Sequence, residues 1–318
     1  DGNSDRACGF CPPLNNDSEL VHQQQHSPLF IYPFIGGDRV EEACEGLKLA
    51  MYDWNISLED TVQLQQDASC GRGHFITITL DDRNRLKPGE YFNDALIDFF
   101  MRWMCRKEAQ IASCIFCFTS HFYSTLRDRG AHAISHYTSR QQNIDIFSKR
   151  MVFLPVNGDL HWSLCVVVNP GLVENMEIAA ENRNIEVPCI IILDPHKAHN
   201  KDIIAHHVRS WLNQEWRKIK NVENGIFTAC TIGVYTPKVP YQNNSWDCGA
   251  FVCKYAYALY QQRHRRITYN DLFEKDPLVD AVTNSPHMNF GIDDIVEFRE
   301  EMCKLVENLS HVYMEVKG

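Results

Sequence analysis

The chain has 318 residues, of which 44% are hydrophobic and 23% charged, and its formal net charge is −10 at pH 7. That length buries a full core, as one large domain or two small ones, and the composition is that of an ordinary globular protein. The negative balance argues against a nucleic-acid binder, and no apolar run approaches the ~18 residues that a membrane helix needs.

Thirteen cysteines are many, and the number is odd. Several sit inside apolar runs, as in LCVVV at Cys165, CIII at Cys189 and FVCKY at Cys253. This favours buried free thiols of a reducing compartment over a disulfide framework. The chain opens at Asp1 without a signal-peptide h-region and reads as an excised domain.

Residues 1–28 are polar, with paired prolines and a HQQQH tract, and predict a flexible N-terminal arm. LFIYPF reads as ordered, and EEACEGLKLAMYDW as a short helix. His74–Leu80 alternates and is β-branched, which predicts a strand. Asn93 is a good N-cap for a helix that places Leu96, Phe99, Phe100, Trp103 and Met104 on one face. MVFLPV (151–156) and WSLCVVV (162–168) predict buried strands, with Asn157-Gly158 as the hairpin signal between them.

A polar, irregular stretch near 169–188 reads as an inserted loop. CIIIL (189–193) is another buried strand and runs into Asp194-Pro195. Asp202–Lys220 is amphipathic, with Ile204, Val208, Trp211, Leu212 and Ile219 facing one way. A short strand is expected within Thr231–Tyr235, a helix over 249–262, and a last helix over Ile295–Leu309. Strands joined by hairpin-like turns among helices predict an α+β fold, a mostly antiparallel central sheet flanked by helices. Residues 29–318 are expected to form a single domain.

The chemistry concentrates in VPYQNNSWDCG (239–249). Cys248 precedes Gly249 and a helical run. A helix N-terminus favours thiolate through its dipole and free N–H groups. Gln242 stands six residues upstream and offers a neutral donor for a developing oxyanion. A thiol nucleophile needs a base, and the base needs an orienter. Among fourteen histidines, His161 lies at the mouth of a predicted strand, and Asp194 ends another, so one sheet edge can present both. Taken singly, each residue also has a structural reading: a satisfied histidine beside Trp162, an inert cysteine, a turn at Asp-Pro.

Taken together, LPVNGDLHWSLCVVV, IIILDPH and VPYQNNSWDCGAFV, in that order, resemble the Ulp/SENP family of ubiquitin-like-protein proteases. LKPGEYFNDALIDFFMRW resembles the same family's first core helix. The resemblance covers about residues 74–265, and 29–310 more loosely. It implies a papain-like cysteine protease fold with a permuted triad of His161, Asp194 and Cys248, and Gln242 at the oxyanion. It also implies cleavage after the C-terminal Gly-Gly of SUMO, removing the modifier or its chains from target lysines and processing precursors. Trp162 and Tyr91 would then clamp the glycines, since only residues without a Cβ pass between two aromatic walls. Such an enzyme needs no metal and no cofactor, works as a monomer on SUMO or another ubiquitin-like protein and its conjugates, and resides in the nucleus or cytoplasm.

IDIFSKRMVFLPVN, NPGL and WLNQEW are most similar to the branch that trims poly-SUMO chains. Two departures stand out. Tyr91-Phe92-Asn93-Asp94 replaces the family's Trp-Leu-Asn-Asp, which alters the tunnel over the glycines, and Asp194-Pro195-His196 replaces its Asp-Ser. The other readings are a protease for NEDD8 or ubiquitin, an inactive modifier-binding homologue, and an acyltransferase on the same triad. Cys8-x-x-Cys11 and Cys114-x-x-Cys117 have the spacing of half zinc sites but lack partner ligands nearby. His196, His199, His206 and His207 read as a solvated face, and QQRHRR (261–266) as a basic helix end suited to an acidic partner.

Overall fold

The computed structural model describes residues 28–32, 43–44, 47, 75–105, 114–140, 145–179, 181–263, 266–273 and 286–317. The expected N-terminal arm and most of the expected helix in EEACEGLKLAMYDW lie outside these residues.

Strand β1 (Pro28–Tyr32) pairs antiparallel with β2 (Ile76–Thr79). Thr79 then caps α1 (Leu80–Asn84) in a capping box with Asp82. The Asn93 side chain accepts from the Leu96 N–H and starts α2 (Asp94–Met104), as its sequence predicts. All five expected apolar residues of α2 are buried, and Ile97 and Met101 with them. This helix is therefore covered on more than one face, with Phe30 and Tyr32 packed edge-on against Phe99.

Strand β3 (Ile115–Cys117) leads into α3 (Ser120–Arg140), which kinks at Gly130, where φ is +75°. The hairpin β4 (Met151–Gly158) and β5 (His161–Val168) follows. After it come α4 (Asn175–Ala179), β6 (Cys189–Leu193), α5 (Lys201–Lys220) and β7 (Gly233–Tyr235). The last helices are α6 (Cys248–Gln261), α7 (Tyr269–Phe273) and α8 (Ile292–Lys317).

The main sheet has the order β3-β4-β5-β6-β7. Its long inner ladders, β4 with β5 and β5 with β6, are antiparallel. The two short edge ladders are parallel, so the sheet is mixed at its rims. The cause is topological: α3 separates β3 from β4 and α5 separates β6 from β7, and a helical crossover returns the chain in the same direction.

Alternate residues of each inner strand enter two cores. Leu164, Val166, Phe153, Ile191 and Leu193 pack with α2, α6 and α8. Cys165, Val167, Leu154, Ile190 and Ile192 pack with α3 and α5. Burial on both faces explains why these strands read as unbroken apolar runs.

Several expectations shift in detail. The hairpin reverses at Asp159-Leu160, not at Asn157-Gly158. Both centre residues have positive φ, 52° and 59°, which a two-residue primed turn demands, and Gly158 pairs with His161 as the last rung. The stretch near 169–188 holds α4, a 3₁₀ turn at Pro170–Leu172 and a bridge from Glu186 to Thr268, so it is structured. Ile219 is 45% exposed, because the whole last turn of α5 is exposed. Helix α6 begins one residue early, at Cys248 itself. No helix among the described residues is long and apolar enough to cross a membrane.

The first turn of α6 lies close against the segment before α2. A Cβ at Gly249 would fall 2.6 Å from Phe92 Cβ, an atom fixed to the backbone. Overpacking of this kind costs about 1–3 kcal/mol, more than the ~1 kcal/mol of helix propensity that Ala gains over Gly. Gly249→Ala is therefore expected to lower the urea midpoint at unchanged m-value, and an unaltered midpoint would refute the close packing.

Candidate active site

β5, β6 and α6 converge on one edge of the sheet. Asp194 follows the last residue of β6, and its carboxylate is fully engaged. Oδ1 accepts from His161 Nε2 at 2.7 Å and from the His196 N–H at 2.9 Å, and Oδ2 accepts from the His199 N–H at 2.9 Å. Burial alone would raise the carboxyl pKa, but His161 and the two backbone donors hold it down at about 2.

His161 opens β5, directly after the turn. With Nε2 donated to Asp194, Nδ1 remains for its other partner, Cys248. Burial disfavours the imidazolium, yet Asp194 and Cys248 together lift the His161 pKa to about 9. Cys248 occupies the first position of α6, where first-turn N–H groups lack intrahelical acceptors. The structure thus brings the three predicted residues into one chain of contacts, Cys248 to His161 to Asp194.

Gln242 is 8% exposed and lies beside this chain. Its backbone N–H donates to Pro195 O at 3.1 Å, which ties it to the Asp194 loop. Its Nε2 donates one hydrogen to Asn244 O at 2.7 Å, while Oε1 has no partner among the described residues. Turning the amide over would set two oxygens together, so the Asn244 carbonyl fixes the amide and leaves the second N–H of Nε2 free to donate.

Trp162 and Tyr91 differ in exposure. Trp162 is buried, and its Nε1 donates to Phe92 O at 3.1 Å, which pins β5 to the segment carrying Tyr91. Tyr91 is 41% exposed and turns an aromatic ring to solvent. Leu160, next to His161, is 88% exposed.

Three contributors escaped the sequence reading. His199 is not part of a solvated face: its Nδ1 meets Ser163 Oγ at 2.7 Å and its Nε2 meets Gly158 O at 3.2 Å. A carbonyl only accepts, so Nε2 carries a proton, and burial pushes the His199 pKa below the usual imidazole value, which favours the neutral ring. It packs 4.9 Å from the His161 ring, centroid to centroid. Asn244 is the second, an Asx residue whose Oδ1 accepts from the Trp246 and Asp247 N–H groups; Asn followed by Asp three residues later is a readable turn signal. Arg299 is the third, and it lies four residues after Ile295 on the otherwise apolar face of α8, an anomaly legible in the sequence.

Ligand atoms of His161, Asp194 and His199 lie within 4.8 Å of one another. Each is engaged in the hydrogen bonds above, so the cluster is a network of donors and acceptors. Cys8-x-x-Cys11 lies outside the described residues. Cys117 meets Cys105, sulfur to sulfur at 3.4 Å. The ten described cysteines are free thiols, and burial pushes the pKa of Cys165, Cys189 and Cys253 upward.

Residues 90–280, more than half of the chain, match the family described as the Ulp1 protease family, C-terminal catalytic domain. The chain is 27% identical over 240 residues to a probable ubiquitin-like-specific protease 2A of Arabidopsis thaliana, which covers 70% of this chain and 30% of the relative. It is 25% identical over 313 residues to ubiquitin-like-specific protease 1C of the same organism, covering 86% of this chain and 50% of the relative. The chain therefore spans at most about half the length of these two relatives. A solved structure of a de-sumoylating protease superposes with a TM-score of 0.59 at 18% identity, over 77% of this chain and 90% of that one. At that identity the likeness establishes the α+β fold.

The two pKa shifts define a pH window. Asp194 is depressed to about 2, so its contribution to stability is present above the ordinary carboxylate value near 4 and fades as pH falls through 2. His161 is raised to about 9, so its contribution is complete below about 6.5 and fades as pH rises through 9. The difference in Tm between the unmodified protein and Asp194→Asn should be widest from about pH 4 to 6.5 and shrink on both sides. A difference that stays level from pH 2 to 10 in calorimetry would contradict the pairing.

Proposed function

The chain belongs to the Ulp1 protease family, and we propose that it is a cysteine isopeptidase that cleaves after the C-terminal Gly-Gly of SUMO. One observation carries this reading: Cys248 at the first position of α6 acts on His161 and raises its pKa, and the His161 Nε2 is held by Asp194 at 2.7 Å. Names among the relatives, ubiquitin-like-specific protease and, in Rattus norvegicus, sentrin-specific protease 7, support a ubiquitin-like modifier as substrate.

In this reading His161 takes the proton of Cys248, and the thiolate attacks the carbonyl carbon of the terminal glycine. The second N–H of Gln242 Nε2 and a backbone N–H of the first turn of α6 receive the oxyanion. The imidazolium then passes its proton to the departing lysine amine. Water, deprotonated by the same imidazole, hydrolyses the thioester and frees Cys248. Asp194 holds the tautomer throughout. Tyr91 covers the glycines from the solvent side, and Trp162 supports the opposite wall while anchoring Phe92.

Residues 29–318 act as one catalytic domain. In support, one of the two cores takes residues from Phe30 in β1 to Val312 in α8, and the strands of the main sheet are shared with the other. The ten free thiols support a reducing compartment, nucleus or cytoplasm.

The test is a panel of C-terminal electrophile probes built on SUMO, NEDD8 and ubiquitin. SUMO is expected to label the unmodified protein and to fail on Cys248→Ala; an unlabelled native protein sinks the proposal, and labelling by NEDD8 or ubiquitin alone reassigns the substrate. Single adducts compared with SUMO chains then decide the branch.

Gln242→Ala is expected to reduce turnover by ~10²–10³, the usual loss for one oxyanion donor. Native turnover in that variant would remove Gln242 from the oxyanion site.

A further inference from the structure

Arg299 is 2% exposed, yet it is a cation in the apolar heart of α8. Its guanidinium reaches two separate segments. Nε donates to Asp247 Oδ1 at 2.7 Å, and Nη2 lies 2.7 Å from the same oxygen. Nη1 donates to the carbonyls of Arg85 and Lys87, each at 3.1 Å. Nη2 donates to Glu90 O at 2.9 Å and to Trp246 O at 3.4 Å. The face of Phe92 lies 4.6 Å from the guanidinium carbon.

The two segments gathered by this one group each carry part of the site. Residues 85–92 form a strap between α1 and α2 that turns at Gly89, where φ is +88°. Tyr91 stands on that strap, and Phe92 O receives the Trp162 indole. Residues 242–248 form the loop that delivers the nucleophile. Asp247 immediately precedes Cys248, and its Oδ2 accepts from Asn244 Nδ2 at 2.7 Å. Asn244 O in turn orients the Gln242 amide. An unbroken hydrogen-bonded path thus runs from the strap, through Arg299, Asp247 and Asn244, to Gln242.

We propose that Arg299 is a positioning residue that sets the distance between the aromatic cover on the strap and the nucleophile loop, so that a substrate tail threads across Cys248. This rests on the Gly-Gly reading above, since a tail that is not threaded needs no such spacing. Only arginine fits the role. Its planar fork supplies five N–H donors in fixed directions, which serve one carboxylate and four carbonyls, whereas a lysine offers three donors from a single point. Nothing in the arrangement requires Arg299 to meet substrate.

The experiment compares two reactions of Cys248 in Arg299→Lys: labelling by a SUMO C-terminal electrophile, which requires threading, and alkylation by chloroacetamide, which does not. Probe labelling should slow by about 10- to 100-fold, as for other small misplacements of a reacting group. Chloroacetamide should react within about twofold of the native rate, with an unchanged pH profile, because His161 and Asp194 are untouched. In a Tyr91→Ala background, Arg299→Lys should add little further loss, since both act through the same strap.

Native probe labelling by Arg299→Lys overturns the proposal. So does an equal fall in both reactions, or full additivity with Tyr91→Ala. If Arg299→Lys fails to fold by circular dichroism, one glycine inserted between Pro88 and Gly89 shifts the strap at the surface and leaves the guanidinium in place. The same split between the two reactions is expected there, and native probe labelling overturns the proposal. A native protein that no probe labels condemns the functional reading; a labelled native protein with an equally labelled Arg299→Lys condemns only this inference.

Discussion

The site rests on one buried carboxylate that receives three donors. Asp194 can remain ionised at the rim of an apolar sheet only because His161 and two backbone N–H groups replace the water it has lost. Those backbone donors come from His196 and His199, on the loop that turns away from β6 into α5. The charge therefore organises the loop, and the loop in turn fixes the charge. Once Asp194 is fixed, the direction of the His161 ring is fixed, and with it the nitrogen left to face Cys248. The neutral ring of His199, held between Ser163 and Gly158, closes the remaining side and keeps a second positive charge away from the first.

The main sheet serves this geometry by being covered on both faces. α2, α6 and α8 occupy one side, α3 and α5 the other, and the chemistry sits where the strands end. Helix α6 has to reach that edge from its own layer, and it does so with Gly249 pressed against Phe92. The same close approach brings the 242–248 loop within reach of Arg299, so packing between layers and alignment of the site are solved by neighbouring residues.

Much of this was legible in the residues, for local reasons. Asn93 with its apolar spacing announces α2, and the doubly buried strands announce themselves as continuous apolar runs. His161, Asp194, Cys248 and Gln242 were readable because each lies at a recognisable boundary of an element, and their order added what each lacked alone. What escaped depends on partners distant in the chain. The parallel rims of the sheet are three-residue ladders whose neighbours arrive through helical crossovers. His199 looks like one histidine among four until Ser163 and Gly158 are folded against it. Arg299 shows in the sequence only as a charge that interrupts an apolar helix face, and its partners appear when the strap and the 242–248 loop close around it. The hairpin was expected one dipeptide too early because Asn-Gly is the stronger local signal, and pairing with β5 overrode it by drawing Gly158 into the ladder.

The reversal at Asp159-Leu160 has a consequence for how such a site changes. Two residues in left-handed backbone are the shortest link that joins these strands, and they leave no slack. His161 and Trp162 are adjacent on a strand and so point to opposite faces. Adding or removing one residue in the turn would exchange their faces, taking the base from Asp194 and the indole from Phe92 in a single event. The proton-handling side and the aromatic side of this site are thus inherited together: a length change here cannot adjust one and spare the other, and variation has to come by substitution alone.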